Sequence, residues 1–174
     1  MRYLFLLVTL VLVSCGNNKK VETPLEEGST TTYYLIRHAE KDRSTTDNPS
    51  LMAKGKNRAT HWATYFSTIP LDAVYSTDYN RTKETAAPTA KEKSLTIQLY
   101  NPDSLYDAAF QQETKGKTVL IVGHSNTTPA LVNTIIGERK HQQISDTENG
   151  MLYKVVIPET GETVVTVEKI EMGN

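Results

Sequence analysis

The chain has a single cysteine, no excess of positive charge and no apolar run long enough for an ordinary membrane-spanning helix, and each shortage removes a class of protein. One cysteine, Cys15, cannot build a disulfide scaffold within the chain. Nineteen Lys and Arg stand against 20 Asp and Glu, a formal charge of -1, so no basic field exists to collect DNA or RNA. The apolar run Leu4 to Val13 falls short of the ~20 residues that a spanning helix needs. No repeat period is visible. Histidine is scarce too: there are four, and no close ligand pair of the His-Glu-x-x-His kind, so no metal is implied.

At the N-terminus, Arg2 is a short positive region and Leu4 to Val13 is apolar over about the length of a secretory signal. Leu12-Val13-Ser14-Cys15 resembles the bacterial lipoprotein signal, which implies cleavage before Cys15 and lipid on that residue. Residues 1–14 are then a signal peptide, and Cys15 anchors the protein to the membrane of the bacterial cell envelope. Lipidation also accounts for a lone thiol in an exported chain. Residues 15–31 are polar with no apolar period and read as a flexible tether. The folded domain is expected at 32–174, within the ~100–200 residues of a single domain.

Within that body, strand and helix patterns alternate. Tyr33 to Ile36 is an apolar strand, and Leu51 to Thr68 carries Ala59, Trp62, Ala63 and Phe66 at helical spacing. Leu71 to Tyr75 forms a second strand, followed by a helix whose Pro88 costs about 3 kcal/mol unless the helix bends or restarts. A third strand is expected over Leu95 to Tyr100, a helix over Asp103 to Glu113, and a buried parallel strand over Thr118 to Val122. A helix from Asn126 to Ile136 ends at Gly137, and two strands, Leu152 to Ile157 and Thr163 to Ile170, close the chain. The fold class expected is α/β: one mostly parallel sheet flanked by helices, with antiparallel edge strands at the C-terminus.

Three strand ends carry polar groups. Arg37 and His38 follow the first, Ser76 to Arg81 the second, and His124 the strand ending at Gly123. Parallel strands bring these ends to one side, where α/β sheets bind ligands. Two guanidinium forks there suit the oxygens of a phosphoryl group, and a helix starting near Asn126 can add backbone N–H groups. A neutral imidazole can attack phosphorus and form a phosphohistidine that water later hydrolyses. His61 and His141 read as structural or solvated.

Arg37-His38-Ala39-Glu40, then Ser76-Thr77, Arg81-Thr82 and Thr85-Ala86, and later Gly123-His124-Ser125, resemble the histidine phosphatase superfamily, which includes phosphoglycerate mutases and small phosphohistidine phosphatases. The similarity runs from about Tyr33 to Ile170. It implies a metal-independent phosphatase without a cofactor, acting on a phosphorylated small molecule or phosphoprotein. By the same resemblance, His38 is the phosphorylated nucleophile, and Arg37, Arg81 and His124 form the phosphate pocket.

The chain departs from mutase-like members at Ala39, Lys41 and Ser44, which points away from sugar-phosphate mutase activity. The proton-donating carboxylate of the family has no clean match. Asp103 and Glu40 are the candidates, and a missing donor would favour leaving groups that need little protonation, such as phosphohistidine or phosphoanhydride bonds. Two alternatives stand beside the phosphatase: a non-catalytic lipoprotein that captures phosphate-bearing molecules, and a serine esterase using Gly123-His124-Ser125.

Overall fold

The computed structural model describes residues 29–45 and 47–172. The expected signal segment, the lipidation site Cys15 and the tether as far as residue 28 lie outside the described residues.

The chain runs β1 (Thr31–Arg37), α1 (Ala53–Phe66), β2 (Ala73–Ser76), α2 (Asn80–Glu92), β3 (Ile97–Leu99), α3 (Ala108–Thr114), β4 (Thr118–Gly123), α4 (Thr127–Ile136), β5 (Met151–Ile157) and β6 (Val164–Lys169). These strands form one sheet in the order β3-β2-β4-β1-β5-β6. The first four are mutually parallel, while β5 and β6 run antiparallel. The fold is thus α/β, a mixed sheet flanked by helices with an antiparallel C-terminal edge.

Alternation along the strands explains why both faces are covered. Tyr33 and Leu35 of β1, with Val119 and Ile121 of β4, face Phe110 of α3 and Leu131 and Val132 of α4. Tyr34, Ile36, Leu120 and Val122 point the other way, against Trp62 and Phe66 of α1 and Ala86 and Ala90 of α2. Neighbouring strands β1 and β4 therefore hand the chain to helices on opposite faces. A crevice opens where they part, at the carboxyl ends of the strands.

Several elements are shorter than their sequence patterns. α1 begins at Ala53 because Leu51 is drawn into a bridge with Lys41. The helix expected from Asp103 starts only at Ala108, where Asp107 caps it by accepting the Phe110 N–H at 2.8 Å. α2 runs through Pro88 without restarting, with Thr85, Ala86, Thr89 and Ala90 buried around it.

Candidate active site

The strand register brings the polar ends together. Arg37 lies opposite Gly123 and Ser76 opposite Val122, and the His38 N–H donates to the Gly123 carbonyl at 2.9 Å. His38 and His124, 86 positions apart in sequence, consequently meet with ring centroids 5.6 Å apart. Gly123 at the strand end is closely surrounded by hydroxyl groups. A Cβ there would stand 2.9 Å from the Thr128 hydroxyl and 3.0 Å from that of Tyr100.

His38 is buried, and its Nδ1 lies 2.8 Å from the Ala39 carbonyl. A carbonyl only accepts, so Nδ1 carries the proton and Nε2 holds a lone pair. Burial above all, then the charges of Arg37 and Arg81, push the pKa of this ring down to about 3 although the Ala39 bond favours protonation. His38 is thus neutral near pH 7. Its loop is fixed from three sides: Thr85 Oγ1 accepts the Ala39 N–H at 2.9 Å, Asn149 Nδ2 donates to the His38 carbonyl at 2.9 Å, and Gly55 of α1 sits against the Glu40 backbone where no Cβ fits.

His124 is held differently, through both nitrogens. Arg81 Nη2 stands 3.4 Å from its Nδ1, and Thr77 Oγ1 is 2.9 Å from its Nε2. Because arginine only donates, Nδ1 is the acceptor and Nε2–H points to Thr77, which itself donates to Thr82 at 3.0 Å. Burial, then Arg81 and Arg37, lower the pKa of this ring to about 4. Arg81 also lies 4.4 Å over the ring of Tyr79.

Arg37 is 2% exposed and anchored by the loop before β5. Its Nη1 donates to the Ser145 and Glu148 carbonyls at 2.7 and 3.0 Å, and its Nη2 meets Asp146 Oδ1 at 2.6 Å. Yet Arg37 Nε and Arg81 Nε are both buried with no hydrogen-bond partner among the described residues. Two orphaned guanidinium N–H groups beside two neutral imidazoles mark a place for an anion's oxygens.

Neither candidate acid is placed as a free proton donor. Glu40 borders the cleft, but Arg58 binds its carboxylate at 2.8–3.1 Å and holds its pKa low against the opposing effect of burial. Asp103 lies in an exposed turn whose cavity is lined by Leu105, Tyr106 and Leu131, and none of the four site residues borders it. The α4 terminus also offers less than expected: the Thr128 N–H is spent on the His124 carbonyl and Pro129 has none. Both nitrogens of His124 are engaged, so it is no base for Ser125, and His141 packs edge-on against Tyr153. Among the described residues, no three His, Cys, Asp or Glu side chains group as a metal site.

The sequence reading missed Thr77 as the partner of His124, and Asp146 and Asn149 as partners of Arg37 and His38. One signal was available for the last two. An antiparallel strand begins where its parallel neighbour ends, so the polar run Ser145 to Asn149 before β5 had to lie beside Arg37 and His38.

Residues 33–102 match the family model of the histidine phosphatase superfamily (branch 1). No curated protein matches the sequence. The phosphoglycerate mutase of Bacillus anthracis str. Sterne shares the fold at 16% identity and a TM-score of 0.59, over 83% of this chain and 94% of that one. The protein histidine phosphatase SixA, complexed with tungstate, is 14% identical with a TM-score of 0.62, over 79% and 96%. A mycobacterial glucosyl-3-phosphoglycerate phosphatase is 10% identical with a TM-score of 0.59, over 82% and 100%. The family model thus covers the stretch from β1 to just past β3, and the solved structures show that the fold is shared.

Proposed function

We propose that this protein is a phosphatase that hydrolyses a phosphoryl bond through a phosphohistidine on His38. The observation that carries the reading is the pairing of a buried, neutral His38, its Nε2 lone pair uncommitted, with two orphaned guanidinium N–H groups. Nε2 attacks phosphorus, the P–N bond forms, and the bond to the leaving group breaks with its electron pair departing on that group. Nδ1–H stays on the Ala39 carbonyl throughout. Water then attacks phosphorus, releases a proton, and returns the electron pair to Nε2.

Arg37 and Arg81 hold the non-bridging oxygens. An oxyanion draws Arg81 off His124, and its charge favours protonation of the freed Nδ1, which makes His124 a third donor to the phosphoryl group. With Glu40 tied to Arg58 and Asp103 in another cavity, the leaving group departs with little protonation, which fits phosphoanhydride and phosphoramidate bonds. No metal takes part, so turnover survives chelators. The lipoprotein signal ending at Cys15 would hold this domain at the bacterial envelope. Phosphate transfer from a labelled aryl phosphate tests the mechanism: acid-quenched protein carries label on His38, and His38→Ala carries none. Turnover by a folded His38→Ala variant would refute it.

A further inference from the structure

Beside His38 opens a cleft of about 220 Å³, room for roughly seven waters and more than a phosphoryl group alone requires. Two cations on its wall have no part in the chemistry above: Lys41 and Arg43, from the loop after β1. Lys41 forms no ion pair among the described residues, and its charge reaches far enough inward to help keep His124 neutral, after burial, Arg81 and Arg37.

Arg43 is 61% exposed, yet it does not trail into solvent. Its Nη1 meets Asp146 Oδ2 at 2.6 Å and its Nη2 donates to the Asp146 carbonyl at 3.2 Å, while the other carboxylate oxygen holds Arg37 at 2.6 Å. Asp146 thus ties a mouth arginine to a floor arginine. A dianionic phosphoryl group balances Arg37 and Arg81. The remaining cleft charges, Lys41 and Arg43 against Asp146, leave one positive charge unmatched, because Glu40 is already neutralised by Arg58.

We propose that Lys41 and Arg43, the latter positioned by Asp146, form a subsite for an anionic leaving group, so that the substrate carries a second anionic group next to the scissile phosphoryl bond, as a phosphoanhydride does. This rests on the phosphohistidine reading above and deepens it. His38 Nε2 attacks the terminal phosphorus, the bridging P–O bond breaks, and its electron pair leaves on a phosphate or phosphonate of low basicity. Lys41 and Arg43 neutralise that charge where no free carboxylic acid can protonate it.

Titration calorimetry on the full chain, in metal-free buffer of low ionic strength, compares methylphosphonate with methylenediphosphonate. The second ligand is expected to bind about tenfold tighter, the yield of two partly exposed charge contacts. Lys41→Gln with Arg43→Gln should bring that ratio to within about twofold while methylphosphonate affinity holds, and Lys41→Gln alone should remove about half of the gain in free energy. Equal affinities in the unsubstituted protein overturn the subsite and leave the phosphate site standing. A double variant that loses both ligands equally overturns it as well. Failure of both ligands to bind sinks both readings.

Discussion

His38 and His124 enter the site by the same route and leave it with different assignments. Each follows an apolar parallel strand, each is held neutral mainly by burial, and the two rings stand 5.6 Å apart. The difference is in their partners. A backbone carbonyl takes the Nδ1 proton of His38 and leaves Nε2 for chemistry, whereas Thr77 and Arg81 occupy both nitrogens of His124. Strand topology delivers an imidazole to the crevice, and the hydrogen bonds around it decide whether it can attack.

Removing each ring in turn is the strongest way to break this comparison. His38→Ala should abolish both turnover of an aryl phosphate and label trapping, since among the described residues both nitrogens of the neighbouring His124 ring are engaged. His124→Ala should retain trapping but lower kcat/KM by about 10²-fold, the scale for one lost oxyanion donor. Rapid-quench trapping in both variants checks this. Equal, complete loss of trapping in the two would erase the distinction drawn between the rings.

Acid stability follows from the low pKa values of the same pair. In the unfolded chain an imidazole takes up a proton below about pH 6.5, while the folded rings resist until about pH 4 for His124 and pH 3 for His38. The unfolded state therefore binds more protons in that window, and stability falls as pH drops from about 6.5 toward 4, by at most ~1.4 kcal/mol per pH unit for each ring. Urea unfolding at pH 7.5 and pH 5 should show a loss that His38→Asn with His124→Asn largely removes. Imidazole NMR signals that titrate near pH 6.5 for both rings would contradict the burial argument.

How much of this was legible beforehand follows from where each partner sits. The continuous apolar runs Tyr33 to Ile36 and Val119 to Val122 disclosed the buried parallel strands, and their polar ends disclosed Arg37, His38 and His124. Arg81 was legible only through its neighbours, Ser76-Thr77 before it and Thr85-Ala86 after it. Asp146 and Asn149 lie in a loop without periodicity, and they reach the site because β5 runs antiparallel to β1. Glu40 misled for a related reason: its carboxylate meets Arg58, a buried residue on the second turn of α1, and no local pattern in 37–43 discloses that contact.

Thr77 sharpens the comparison from the side of His124. Thr77→Val keeps the shape and deletes the acceptor of Nε2–H, leaving a partly buried donor unsatisfied. A loss of about 1–2 kcal/mol in transition-state binding corresponds to roughly tenfold in kcat/KM. Thr77→Ser should restore most of it, which separates the hydrogen bond from packing. Imidazole ¹⁵N shifts should show the His124 tautomer population changing while that of His38 does not.

Glu40 carries the smallest expected effect on rate, and it asks whether either ring has an acid at its service. Bound by three N–H contacts from Arg58 and held at low pKa, its carboxylate has no proton to give at neutral pH. Glu40→Gln removes the charge opposite a buried guanidinium and should cost about 1–3 kcal/mol of stability. The effect on kcat/KM should stay below about threefold and should be the same for aryl phosphates of high and low leaving-group pKa. A proton donor behaves otherwise: its loss costs about 10²- to 10⁴-fold, and the deficit grows as the leaving group becomes more basic. A steep dependence of that kind in Glu40→Gln would make Glu40 the acid despite Arg58, and the preference for anionic leaving groups of low basicity would lose its chemical ground.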